Sequence, residues 1–202
     1  MNSPKSEGVE ISNSTFSGNA AASGAAVNNS SMGTVSILAG SQIVDNPGAM
    51  IPDPAQVIDP LDPEPIEYIP GPGVYEPRGG AIANEGATEN IGTLRVENST
   101  VARNFATDSG AGIHNGGSGI LMISGSTITE NQTTAAGGGV HSDRGKVTIT
   151  NTTISKNVAA DGGGIASDGS VDGLGLRSSF TLTNSTVTEN EAHASGGGAL
   201  IA

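Results

Sequence analysis

An all-β solenoid, a right-handed parallel β-helix of about six coils, is the fold that this sequence predicts. Three observations carry the prediction. A seven-residue phrase ending in asparagine recurs six times, with a basic period of 26–27 residues. Within each repeat the apolar residues alternate with a period of two, which is a strand signature. No segment shows the i, i+3, i+4 spacing of an amphipathic helix.

In chain order the phrase reads "NSTFSGN" (13–19), "GSQIVDN" (40–46), "NSTVARN" (98–104), "GSTITEN" (125–131), "NTTISKN" (151–157) and "NSTVTEN" (184–190). Each copy follows an alternating apolar pair: Val9/Ile11, Val35/Ile37, Leu94/Val96, Leu121/Ile123, Val147/Ile149 and Phe180/Leu182. Most copies are followed by a glycine cluster and an aliphatic residue, as in "GAGI" (110–113), "GGGV" (137–140) and "GGGI" (162–165). The repeat therefore reads as three short strands joined by bends. Tandem units of this size bury their apolar face by winding, each strand pairing in parallel with its copy about 4.8 Å away in the next coil. Right-handed winding is the default crossover hand.

Equivalent positions then become neighbours in columns. Phe16, Ile43, Val101, Ile128, Ile154 and Val187 form an inward apolar column. The closing asparagines (Asn19, Asn46, Asn104, Asn131, Asn157 and Asn190) form a structural ladder at a bend. There asparagine tolerates left-handed backbone, and its amide can bond the same amide one coil away. The position before that asparagine reads Asp45, Arg103, Glu130, Lys156, Glu189, alternating in sign. This is an outward charge ladder that specifies register, with Glu130 answering Arg103 and Glu189 answering Lys156.

The composition fits thin stacked layers. The 202 residues include 31 glycines, three phenylalanines, two tyrosines, no tryptophan and no cysteine. A patterned 35% hydrophobic content argues against disorder. A net charge of −12 repels polyanions, which speaks against nucleic-acid binding. No run is long and apolar enough to cross a membrane as a helix.

The pairing of "FSGN" (16–19) with "GGAI" (79–82) and "GGAL" (197–200) resembles the FxxN and GGA-aliphatic repeats of the polymorphic outer-membrane protein family, the β-helical passengers of bacterial autotransporters. "TLTNSTVTENEAHASGGGAL" is similar to the repeats of large secreted bacterial β-helix proteins. The resemblance implies surface display and adhesion to a host-surface protein or glycan. Residues 1–202 are expected to be one β-helix domain within a longer solenoid, displayed outside the cell, with uncapped coils open to end-to-end contact.

Chemistry-bearing residues are sparse. Carbohydrate-binding or carbohydrate-cleaving β-helices need clustered carboxylates with a base and aromatic platforms. Here Asp108, Asp143, Asp161 and Asp168 scatter among turn positions near the glycine bends. "GLGL" (173–176) lacks the third glycine of a dinucleotide site. No catalytic residue and no cofactor is expected. His114 and His141 occupy the same repeat position and should stack outward in adjacent coils, an exposed pair that could share a metal. Ala83 and Ala166 flank them, so no third ligand is evident. Two outward hydroxyl ranks, among them Thr127/Thr129 and Thr153/Ser155, are similar to ice-binding solenoids, but the array breaks at Gln42/Val44. Segment 47–77 holds nine of the ten prolines. It must leave the coil, because proline cannot pair in an interior sheet. It is a candidate interaction loop through Tyr68, Tyr75, Asp59, Asp62, Glu64 and Glu67.

Overall fold

The computed structural model describes residues 8–21, 23–30, 33–47, 80–86, 91–168 and 179–201. Every strand pairing within them is parallel, and each joins one repeat to the next. The chain is a parallel β-helix. Sheet 1 stacks Val9–Ile11, Thr34–Ile37, Thr93–Glu97, Ile120–Ser124, Lys146–Thr150 and Ser179–Thr183. Sheet 2 stacks Thr15–Ser17, Gln42–Val44, Thr100–Ala102, Thr127–Thr129, Thr153–Ser155 and Thr186–Thr188. Sheet 4 stacks Val27–Asn29, Ile82–Gly86, Ile113–Gly117, Val140–Ser142, Ile165–Ser167 and Ala199–Ile201.

Sheet 3 is the departure from the expected three strands per repeat. It stacks Phe105–Ala106, Gln132–Thr133, Val158–Asp161 and Glu191–Ser195 between the closing asparagine and the glycine bend. Two of these strands are only two residues long, too short to show an alternation in sequence.

The inward columns behave as the alternation requires. Ile43, Val101, Ile128 and Ile154 are fully buried and in register across sheet 2. Leu94 and Leu121 with Val96 and Ile123 do the same in sheet 1, and Ile82, Ile113, Val140 and Ile165 in sheet 4. Together they form one continuous core of branched aliphatic side chains. The outermost strands leave Val9, Leu182 and Ile201 exposed.

The asparagine ladder forms in full. The Nδ2 group of each closing asparagine donates to Oδ1 of the next: 2.9 Å from Asn19 to Asn46, 3.0 Å to Asn104, 2.8 Å to Asn131, 2.9 Å to Asn157 and 2.9 Å to Asn190. The same Oδ1 atoms accept the backbone N–H of the preceding asparagine. The second Nδ2 proton reaches back one coil, as from Asn131 to the Val101 carbonyl at 3.1 Å. Each interior amide is thus saturated, which is how a polar column tolerates burial.

The left-handed backbone sits elsewhere than expected. None of the closing asparagines has positive φ; the residue before each one does, at 54° for Asp45 and Arg103 and near 55° for Glu130, Lys156 and Glu189. Gly18 fills that position in the first copy. A second left-handed corner lies at the first position of the phrase, where Asn13, Asn98, Asn151 and Asn184 share a column with Gly40 and Gly125. Asparagine and glycine exchange there because both accept that conformation. The charge ladder also pairs differently at one rung. Arg103 makes a bidentate contact with Asp45, at 2.7 and 2.9 Å, rather than with Glu130. Lys156 meets Glu189 at 3.9 Å, as the alternation predicts.

Candidate functional site

Sheet 4 carries the cluster with the most chemistry. Its strands pair Ile113 with Val140 and His114 with His141. Alternation sends the aliphatic residues inward and both imidazoles to the opposite face. That face is covered: His114 is 2% exposed and His141 3%. The expectation of an exposed pair is therefore corrected. The cause is the glycine bend before each strand. The left-handed backbone at Gly110 and Gly137 lies so near that an added Cβ would stand 3.0 Å from His114 Cβ and 2.8 Å from His141 Cβ.

The two rings stack with centroids 5.3 Å apart and planes 16° from parallel. Their Nδ1 atoms lie 3.3 Å apart, within hydrogen-bond reach when one ring is protonated there. A third side chain able to ligate stands beside them, contrary to expectation. Asp143 follows His141 by two residues and so falls on the same face of the chain. Its Oδ1 lies 3.3 Å from His141 Nδ1, and its Oδ2 lies 3.7 Å from His114 Nε2. His114 Nε2 is buried and makes no hydrogen bond. An unsatisfied buried group of this kind costs about 1–3 kcal/mol.

The column beside the imidazoles is acidic. Glu85 pairs with Gly116 in register. A Cβ on Gly116 would stand 2.7 Å from Glu85 Oε2 and 3.0 Å from His114 Nε2, so the carboxylate and the ring share the space this glycine leaves open. One coil further, Ser142 pairs with Ser167, which sets Asp168 beside Asp143. Burial, and next the neighbouring His114, hold the His141 proton affinity below its ordinary value, while Asp143, Asp168 and Asp108 pull it back up. Three of the four aspartates expected to scatter thus bear on the charge of one imidazole. Burial favours the neutral ring, which is the form that ligates metals. Among the described residues this is the one group of three metal-ligating side chains whose donor atoms lie within 4.8 Å of one another.

A second amide ladder escaped the sequence reading. Asn29 donates to Asn84 and Asn84 to Asn115, both at 2.8 Å, and Asn115 continues to Ser142 Oγ at 3.3 Å. Its members sit two residues after the inward aliphatic of sheet 4, and that offset is the signal that could have found it. The candidate loop residues Tyr68, Tyr75, Asp59, Asp62, Glu64 and Glu67 lie outside the described residues. The closing asparagines hold the coils together and do not converge on the histidine cluster. Comparison of the chain with family models, with curated proteins and with solved structures finds no match.

Proposed function

We propose that this chain is a non-catalytic β-helix module of the cell surface or extracellular space, structural and adhesive in role, related in kind to autotransporter passengers. The observation that carries this reading is the outward face of sheet 2. Thr100, Thr127, Thr153 and Thr186 form one registered rank, with Thr129, Ser155 and Thr188 beside it and the buried Ala102 at its end, and neither rank contains an acid or a base. Such a face supplies no group for proton transfer and offers hydroxyls that donate and accept hydrogen bonds to a glycan or protein surface. The resemblance of "FSGN" to the FxxN repeat points the same way. Immobilised protein presented to a glycan array and to host-cell surface proteins should retain a partner without altering it. Failure to retain any glycan or surface protein overturns the adhesive role. End-to-end contact belongs to the same reading, since Val9 and Ile201 are exposed on the outermost strands. Light scattering that finds monomer at every concentration overturns that part.

A second reading, a carbohydrate-cleaving β-helix, is favoured by Asp143, whose carboxylate stands 3.3 Å from His141 Nδ1, with Asp108 and Asp168 adding their charge. Release of new reducing ends from a polysaccharide panel, lost in Asp143→Asn, decides for it.

A further inference from the structure

We propose that His114, His141 and Asp143 bind one divalent transition-metal ion of the zinc class. Two imidazoles and a carboxylate are the donor set that suits zinc, cobalt or nickel rather than calcium. The spacing agrees. A tetrahedral ion with ligands about 2.0–2.2 Å away holds its donor atoms roughly 3.3–3.6 Å apart. The Nδ1 atoms of the two rings are 3.3 Å apart, and Asp143 Oδ1 is 3.3 Å from His141 Nδ1. One imidazole gives one nitrogen to an ion: with Nδ1 ligating, the buried His114 Nε2 carries the ring proton and has carboxylates to turn it toward, Asp143 Oδ2 at 3.7 Å and Glu85 across the space that Gly116 leaves open.

The surroundings suit a dication. Glu85 stands across Gly116 from His114, and Asp168 follows Asp143 in the same column. Both add negative charge close to the ligands, as outer carboxylates do around ligating histidines. Packing does not explain the imidazoles, because Ala83 and Ala166 fill the same column in the coils on either side. The Asp143 side chain is 27% exposed, which gives an ion a way in and leaves room for water as a further ligand.

Because alanine already occupies that column, His114→Ala and His141→Ala should fold. Untagged protein, stripped with a chelator, is titrated with Zn²⁺ by calorimetry and with Co²⁺ by visible absorption. The expected result is one equivalent of Zn²⁺ per chain, a four-coordinate Co²⁺ spectrum and a higher thermal midpoint on saturation. Stoichiometric binding should vanish in His114→Ala and His141→Ala and persist in His193→Ala, whose ring is exposed beside Glu191. Glu85→Gln should weaken binding by about 10-fold. Two outcomes overturn the proposal: no Zn²⁺ uptake by the natural chain, or unchanged uptake when both histidines are alanine. If the alanine variants fail to fold, Asp143→Asn in the same titrations decides, and binding equal to the natural chain overturns the site. Saturable Ca²⁺ binding in place of Zn²⁺ also overturns it.

Discussion

Replacing Asn131 with alanine is the sharpest perturbation of what holds the coils in register. Its Oδ1 accepts from Asn104 Nδ2 at 2.8 Å and from Asn104 N at 3.1 Å. Its Nδ2 donates to Asn157 Oδ1 at 2.9 Å and to the Val101 carbonyl at 3.1 Å. The variant therefore loses four buried hydrogen bonds, and it strands the backbone N–H of Asn104, which is 1% exposed. At about 1 kcal/mol net for each bond, the expected loss is about 4 kcal/mol, a large fraction of a domain's stability. Asn19 supplies the internal comparison. It is half-buried, and among the described residues its side chain makes one such bond, to Asn46 at 2.9 Å. Asn19→Ala should cost about 0.5–1.5 kcal/mol. Urea unfolding followed by circular dichroism measures both variants, with the slope checked because solenoids can unfold in sections. A loss below about 1 kcal/mol for Asn131→Ala, or equal losses for the two variants, would refute the view that saturation of the amide column governs stability.

The left-handed corner makes an opposed pair of predictions. Glu130→Val puts a β-branched side chain at φ 56° and should cost about 1–2 kcal/mol, whereas Glu130→Gly should be neutral or stabilise by up to about 1 kcal/mol. Denaturation midpoints that fall in both variants contradict the assignment of backbone strain to this column. Arg103→Ala removes a bidentate but half-exposed contact with Asp45, so the unfolding midpoint should drop slightly at low salt and not at high salt. A drop independent of salt counts against it. In metal-free protein, the folded-state pKa of His141 lies below the ordinary 6.5. The stability this gives is present above about pH 6.5 and lost as pH falls through the folded value. Thermal midpoints of the natural chain minus those of His141→Ala should decline on that acid side, and a difference that grows there contradicts the burial argument.

Much of the fold was legible because period-two alternation and a fixed repeat length each determine a column. Ile128 is inward because Thr127 and Thr129 flank it, and its neighbours are Val101 and Ile154 because the phrase recurs in step. One left-handed corner was also written in the chain, as the exchange of asparagine for glycine at 13, 40, 98 and 125, but the closing asparagines drew the expectation away from it and set the other corner one residue late. The histidine cluster was legible only in part. Alternation assigns His114 and His141 to the outer face, yet it cannot show that the glycine bend of the same coil folds across that face. Asp143 was recoverable, since residues i and i+2 share a face and the histidine of the preceding coil lies one strand away. Its part in the site was missed because each aspartate was weighed singly against solvated turns.

The described strands before residue 48 pair directly with those after residue 79. Val27 pairs directly with Ile82, Gln42 with Thr100, and the Asn46 amide with Asn104 at 3.0 Å. Pro47 lies beside Phe105, and Gly80 beside Ala111, so the next coil spans the same corner with residues 106–110 alone. That corner is a natural splice point. Foreign sequence can be grafted there, or the native segment exchanged for a short linker copied from 106–110, while the neighbouring coils keep step. For a protein engineer the β-helix is a frame whose register is kept by the neighbouring coils, whatever length of chain joins them at this corner.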